Sequence, residues 1–147
     1  MTAVALLRLH DARASSPPCR YNVSTSDGGG SNTVTDNVTG LTWQQTISSS
    51  TYTWPQAASY CQTLSYGGLS GWRLPTTREL LSIVDLTTSN PAIDQTYFPN
   101  TPSNDFWAGT PYGNNAGSGS AWFVGFTDGD AFFSDMTAYN YYVRCVR

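Results

Sequence analysis

The segment Gly71-Trp72-Arg73-Leu74-Pro75-Thr76-Thr77-Arg78-Glu79-Leu80 passes from an aromatic turn into a helix start. Thr76 and Glu79 have the Thr-x-x-Glu spacing of a capping box, in which each side chain satisfies a backbone N–H at the open end of the helix. Leu80, Leu81 and Val84 supply a buried stripe, Ile83 extends it, and the helix is expected to stop near Asp85 after two to three turns. Upstream, Thr53 and Gln56 repeat the device as Thr-x-x-Gln, with Pro55 in the first turn, where its missing N–H costs little. Trp54, Ala57, Ala58, Cys61 and Leu64 then recur every three or four residues. This predicts a first helix to about Leu64 with Cys61 on its core face.

On either side of the helices the pattern is that of strands. Thr33-Val34-Thr35-Asp36 and Leu41-Thr42-Trp43-Gln44 flank a turn that contains Gly40 and read as a hairpin. Asp105 to Gly109 reads as a strand. Ala121 to Phe126 alternates and is expected to bury Trp122, Val124 and Phe126. Asp128-Gly129 marks a turn into Ala131-Phe132-Phe133. Tyr141 to Val146 reads as a last strand, with Tyr141, Val143 and Cys145 on one face and Tyr142, Arg144 and Val146 on the other. Two short helices between an N-terminal hairpin and an irregular antiparallel sheet make an α+β domain. Residues 1–20 are expected to be a leader or linker and 21–147 the domain. The leader is open between a signal peptide, a truncated start and a tether to something upstream.

The 147 residues suffice for one core. Seven arginines, no lysine, nine aspartates and one glutamate leave a net charge of -3. Such an acidic balance gives no footprint for nucleic acid. No apolar run approaches the roughly 18 residues of a membrane span. Aromatic residues, at 14%, outnumber charged ones, at 12%, so polarity comes from Ser, Thr, Asn and Gly. This composition suits a secreted or cell-surface domain. In that setting Cys19, Cys61 and Cys145 imply one disulfide and one leftover thiol. Asn22-Val23-Ser24 and Asn37-Val38-Thr39 are formal glycosylation sequons.

One resemblance covers most of the chain, from about Tyr21 to Arg147. Its marks are Thr39-Gly40-Leu41-Thr42-Trp43-Gln44, Gly71-Trp72-Arg73-Leu74-Pro75-Thr76, Asn90-Pro91-Ala92-Ile93-Asp94 and Phe98-Pro99-Asn100-Thr101. Phe106-Trp107, Ala121-Trp122-Phe123-Val124 and the terminal Val143-Arg144-Cys145-Val146-Arg147 complete it. The pattern resembles the C-terminal domain family of the legionella collagen-like adhesin. The resemblance implies a C-type-lectin-like fold, related to that of the formylglycine-generating enzyme, on bacterial surface or secreted proteins. It also implies a trimer that binds sulfated glycosaminoglycans, as in the family's namesake. Lectin-like folds commonly tie the first helix to the last strand, so the resemblance proposes a Cys61–Cys145 disulfide, with two free buried thiols as the alternative. Closing that loop of 84 residues stabilises by roughly 4–5 kcal/mol in the chain-entropy model.

No catalytic constellation is visible. His10, the one histidine, lies in the leader, so a Ser or Cys nucleophile has no base. Glu79 is spent on its cap, and no motif pairs two aspartates. The chain is therefore expected not to be an enzyme and to need no cofactor. The triplets of calcium-dependent lectins are absent, and a hairpin turn accounts for Asp128 and Asp130. A structural calcium stays open. Sulfated polysaccharide is disfavoured by the acidic balance, although Arg144 and Arg147 are expected to cluster near the C-terminus. The C-terminal half instead mixes Tyr, Ser, Asn and Phe, the composition of adaptable recognition surfaces. Tyr112, Asn114, Phe123, Asp130, Phe132, Phe133, Ser134, Asp135, Tyr139 and Asn140 are the expected ligand-binding residues. The expected function is a non-enzymatic adhesin-like or lectin-like module for a glycan or surface protein. The alternative is a structural subunit that self-associates as a homo-oligomer.

Overall fold

The computed structural model describes residues 20–25, 31–113, 117 and 119–147. The expected leader up to Cys19, the Gly-rich turn at 27–30 and Asn114 lie outside the described residues. Strands β1 (Tyr21–Ser24), β2 (Thr33–Asp36) and β3 (Thr42–Gln44) precede helices α1 (Trp54–Thr63) and α2 (Thr77–Ser82). Strands β4 (Asp105–Pro111), β5 (Ser120–Gly125) and β6 (Ala131–Asp135) follow. The result is two antiparallel three-stranded sheets, ordered β1-β2-β3 and β4-β5-β6, with two short helices. This is the α+β architecture expected from the patterning. β1 went unrecognised there, because only Tyr21 of its four residues is buried and its companions are polar or exposed.

Both helices start where the capping pairs place them. Gln56 Oε1 accepts from the Thr53 N–H at 3.1 Å, and Glu79 Oε2 accepts from the Thr76 N–H at 2.8 Å. In return Thr76 Oγ1 accepts from the Glu79 N–H. α2 is shorter than expected and ends at Ser82. Leu80 is its buried residue and the capping Ile83 is buried just beyond it, whereas Leu81, expected in the stripe, is exposed. Arg20 anchors this corner from outside the helices. It pairs with Asp36 at 2.8 Å and donates to the Ser82 carbonyl at 2.7 Å, joining β2 to the end of α2.

The second sheet lies between two apolar clusters. Phe106 and Val124 pair on one face and pack with Leu80 of α2 and Ile83 just after it, together with Val34, Trp43, Ile93 and Phe98. Trp107 and Phe123 pair on the other face and pack with Ala57 and Cys61 of α1, together with Trp72 and Leu74. Burying such large side chains contributes about 1.5–3 kcal/mol each, the main favourable term for a domain of this size.

Residues 141–147 close the structure, but not as the single regular strand expected. The segment changes partner every residue or two. Tyr141 bridges Tyr52, Tyr142 bridges Phe106, and Val146 bridges both Trp43 and Arg73. It thus fills the gap between the β3 edge and the β4 edge. The Trp107 N–H donates to the Tyr142 carbonyl at 3.0 Å, and the Gln44 N–H donates to the Cys145 carbonyl at 3.0 Å. The expected alternation holds, with Tyr141, Val143 and Cys145 in the α1 cluster and Tyr142 and Val146 in the α2 cluster. Neither face is left for solvent. Cys61 and Cys145 form a disulfide, with Cα atoms 5.6 Å apart, that pins this segment to α1.

Arg144 corrects a second expectation. It does not cluster with Arg147 at the surface but is fully buried. Its Nη1 donates to the carbonyls of Gln44 and Gln45 at 2.6 Å each, and its Nη2 donates to Thr101 Oγ1 at 2.7 Å. The guanidinium carbon sits 4.9 Å from the centre of the Phe98 ring. Burial pulls the group down to about 9, which leaves it charged at neutral pH.

Candidate functional site

Aromatic side chains that escape both clusters gather around β6. This strand is the outer member of the second sheet, and α1 and α2 cover the sheet at its inner end. Successive β-residues point to opposite faces, so Phe132 and Phe133 leave the strand on different sides. They are 54% and 49% exposed. Phe133 lies opposite Trp122 in the ladder and Phe132 opposite Phe123.

On the α2 side Phe133 stacks on Tyr112, with ring centres 3.7 Å apart and planes 15° apart. Trp122 meets both, at 5.9 Å from Phe133 and 5.7 Å from Tyr112. On the α1 side a row of rings runs outward from the core. Trp107 contacts Tyr141 at 4.6 Å, Tyr141 contacts Phe123 at 4.7 Å, and Phe123 contacts Phe132 at 6.0 Å. Tyr139 stacks beside Tyr141 at 6.2 Å and is 52% exposed. Ser134 shares this side of β6 and is half-buried, while Asn140 beside Tyr139 is exposed.

The expected site residues therefore divide between two faces. Tyr112 and Phe133 come together on one, and Phe132, Ser134, Tyr139 and Asn140 belong to the other. Phe123 was expected at the surface and is buried; it supports the exposed rings from beneath. Trp122, expected in the core, is only half-buried and belongs to the exposed group. Asp130 sits in the β5–β6 turn, where its N–H donates to Asp128 Oδ1 at 3.2 Å. Asp135 ends β6, and its Oδ1 accepts from the N–H groups of Thr137 and Ala138 and from the Thr137 hydroxyl. Those bonds hold its carboxyl below the usual range. Both aspartates build turns at the ends of β6.

Two concavities adjoin this region, and neither is marked by a motif in the sequence. A shallow groove of about 580 Å³ is lined by Thr51, Tyr52, Pro55, Gln56 and Ser59 at the start of α1. The Tyr52 N–H donates to the Tyr141 carbonyl at 2.9 Å, which ties the groove wall to the row ending in Tyr139. A smaller hollow of about 270 Å³ lies between Ile47, Ser48, Ser49, Asn100, Pro102 and Tyr142. Asp105 lies half-buried at the start of β4. Burial, and then the charge of Asp128, push its carboxyl up. Among the described residues no group of three or more His, Cys, Asp or Glu side chains is placed to hold a metal ion. No helix among them is long and apolar enough to cross a membrane.

The family model of the Lcl C-terminal domain matches residues 32–147, which include both helices, the disulfide and the whole aromatic region. The chain belongs to the Lcl C-terminal domain family. No curated protein matches it. The matched region begins just before β2, so the family pattern takes in every described element except β1.

Proposed function

We propose that the domain is a non-enzymatic adhesin-type module that binds a glycan or a surface protein through the α1 side of β6. One observation carries this reading. Phe132 and Tyr139 are large rings left about half exposed above a buried aromatic row, beside Ser134 and Asn140. Exposed rings offer contact area with few rotors to freeze, and the neighbouring hydroxyl and amide supply hydrogen bonds that fix orientation. The Tyr52 groove extends the same surface toward α1 and gives an elongated ligand room to run. Membership in the Lcl C-terminal domain family supports an adhesin-related role.

The finer fold reading is a C-type-lectin-like domain. It is supported by the disulfide that ties the first helix to the last segment and by that segment's position between two small sheets. Secretion or surface display accords with the same disulfide, because such bonds persist in oxidising compartments. Binding is proposed to need no metal or cofactor. Arrays of glycans and of bacterial and host surface proteins, probed with and without chelator, test the reading and identify the ligand class. Saturable binding that survives chelation is expected. Binding abolished by chelator would contradict the metal-free account, and turnover of a bound glycan would contradict the non-enzymatic one.

The structural reading, in which copies pack together, is favoured by a different observation: among the described residues nothing pairs with the outer edge of β6.

A further inference from the structure

We propose that β6 is a pairing edge through which two copies of the domain join antiparallel about Phe133. The two second sheets then become one continuous sheet. This inference is independent of the ligand reading, because it uses the backbone edge of β6 and the Phe133 side rather than Phe132 and Tyr139.

The geometry starts from the β5–β6 ladder. The Gly125 N–H donates to the Asp130 carbonyl at 2.8 Å, and the Met136 N–H donates to the Gly119 carbonyl at 2.9 Å. The register between these points is continuous, from Ser120 opposite Asp135 to Val124 opposite Ala131. Hydrogen-bonded and non-bonded positions alternate in an antiparallel pair. Phe132 and Ser134 therefore bond inward to β5, while Ala131, Phe133 and Asp135 turn their N–H and C=O groups outward. Among the described residues nothing pairs with them. The β4 and β3 edges differ, because residues 141–147 occupy both. β1 is the other outer strand, and its exposed Asn22, Val23 and Ser24 carry no ring.

Sheet edges are normally guarded by lysine, proline, a bulge or an inward charge. The β6 sequence Ala-Phe-Phe-Ser-Asp has no such guard along its length, and its one charge stands at the end. It is also self-complementary. With Phe133 on the dyad, Ala131 faces Asp135 of the second copy and Phe132 faces its Ser134. A large side chain thus meets a small one, and no acid meets an acid. Each outward backbone group finds a partner, as an isologous contact requires. The Tyr112, Trp122 and Phe133 rings then meet their copies across the dyad. The Phe132–Tyr139 surface stays open and is presented twice on one side of the joined sheet.

Sedimentation velocity on the full chain over a range of concentration and salt tests this. A monomer–dimer equilibrium is expected, and raising salt should strengthen it, since each copy carries a net charge of -3. Phe133→Lys should weaken the dimer by at least about tenfold, which corresponds to about 1.4 kcal/mol. Its melting temperature should fall only by the few degrees that losing the Tyr112 stack explains, with the cooperative unfolding of the parent retained. In a Cys19→Ser background, Phe133→Cys should cross-link to itself under oxidation and Ser134→Cys should not. A monomer at every concentration, a dimer indifferent to Phe133→Lys, or open-ended polymers would overturn the proposal. Loss of ligand binding in Phe132 or Tyr139 variants leaves it untouched.

Discussion

Phe132 and Phe133 are adjacent in β6 yet belong to different faces of the second sheet, Phe132 across from buried Phe123 and Phe133 across from half-buried Trp122. Their removal should therefore cost little stability, in contrast to the ring beneath. Phe132→Ala should change unfolding free energy by less than about 1 kcal/mol. Phe133→Ala should cost about 0.5–1.5 kcal/mol through the lost Tyr112 stack. Phe123→Ala should cost about 3–5 kcal/mol. Urea unfolding of the three variants checks the order. Equal losses at Phe132 and Phe123 would mean that Phe132 is not a surface ring.

Arg144 holds three chain segments together: the end of β3 through two carbonyls, the 98–101 loop through the Thr101 hydroxyl, and its own C-terminal segment. Arg144→Met strands those acceptors in the core and should destabilise by about 3–5 kcal/mol. Arg144→Lys keeps the charge but loses the planar fork that reaches both carbonyls and the hydroxyl, so it should recover only part of the loss. Denaturant midpoints measure both. Parent-like stability in the methionine variant would show that the buried charge contributes nothing net.

The Cys61–Cys145 bond spans 84 residues and joins α1 to the segment that fills the space between the sheets. Replacing both cysteines with alanine should cost about 2–5 kcal/mol. Non-reducing peptide mapping of the parent should recover one peptide pair, Cys61 with Cys145. Recovery of Cys19 joined to either would contradict the structure.

Acid should weaken the domain. Burial pushes the Asp36 carboxyl up, but hydrogen bonds from Arg20 and the Val38 N–H, with the Arg20 charge, outweigh it and hold the group below its usual range. Hydrogen bonding from Arg73 lowers Glu79 likewise, against an opposing effect of burial. Groups lowered in the folded state stabilise fully above their unfolded values, about 3.9 for Asp and 4.3 for Glu. That contribution is lost as pH falls through the lower folded values. Asp105 is raised and works in the opposite sense. The melting temperature should therefore decline below about pH 4, and Asp36→Asn should flatten that decline. Arg73 is 45% exposed, so the Glu79 share is the smaller. An acid limb unchanged by Asp36→Asn would remove the Arg20–Asp36 pair as its cause.

Local chemistry made much of this fold legible. Thr53 with Gln56 and Thr76 with Glu79 mark both helix starts, because capping is a property of neighbouring residues. The hairpin from Thr33 to Gln44 is equally local. The Cys61–Cys145 pairing came through the family resemblance. The failures arise where burial is two-sided. β5 contributes to an apolar cluster on each face, so alternation could not tell Phe123 from Trp122 as the inner ring. Arg144 looks like a surface charge until the carbonyls of Gln44 and Gln45 are brought beside it, far away in sequence. The site residues were found as a composition, but their division between two faces depends on which strand ends the sheet.

The central claim is that the α1 side of β6 is a binding surface. The most direct measurement is the affinity of a Phe132→Ser/Tyr139→Ser double variant for whichever arrayed glycan or protein the parent binds. Biolayer interferometry would supply it, with melting temperature recorded alongside. The account predicts a loss of at least about tenfold, about 1.4 kcal/mol, with an unchanged melting temperature. Parent-like affinity in the folded double variant would contradict it.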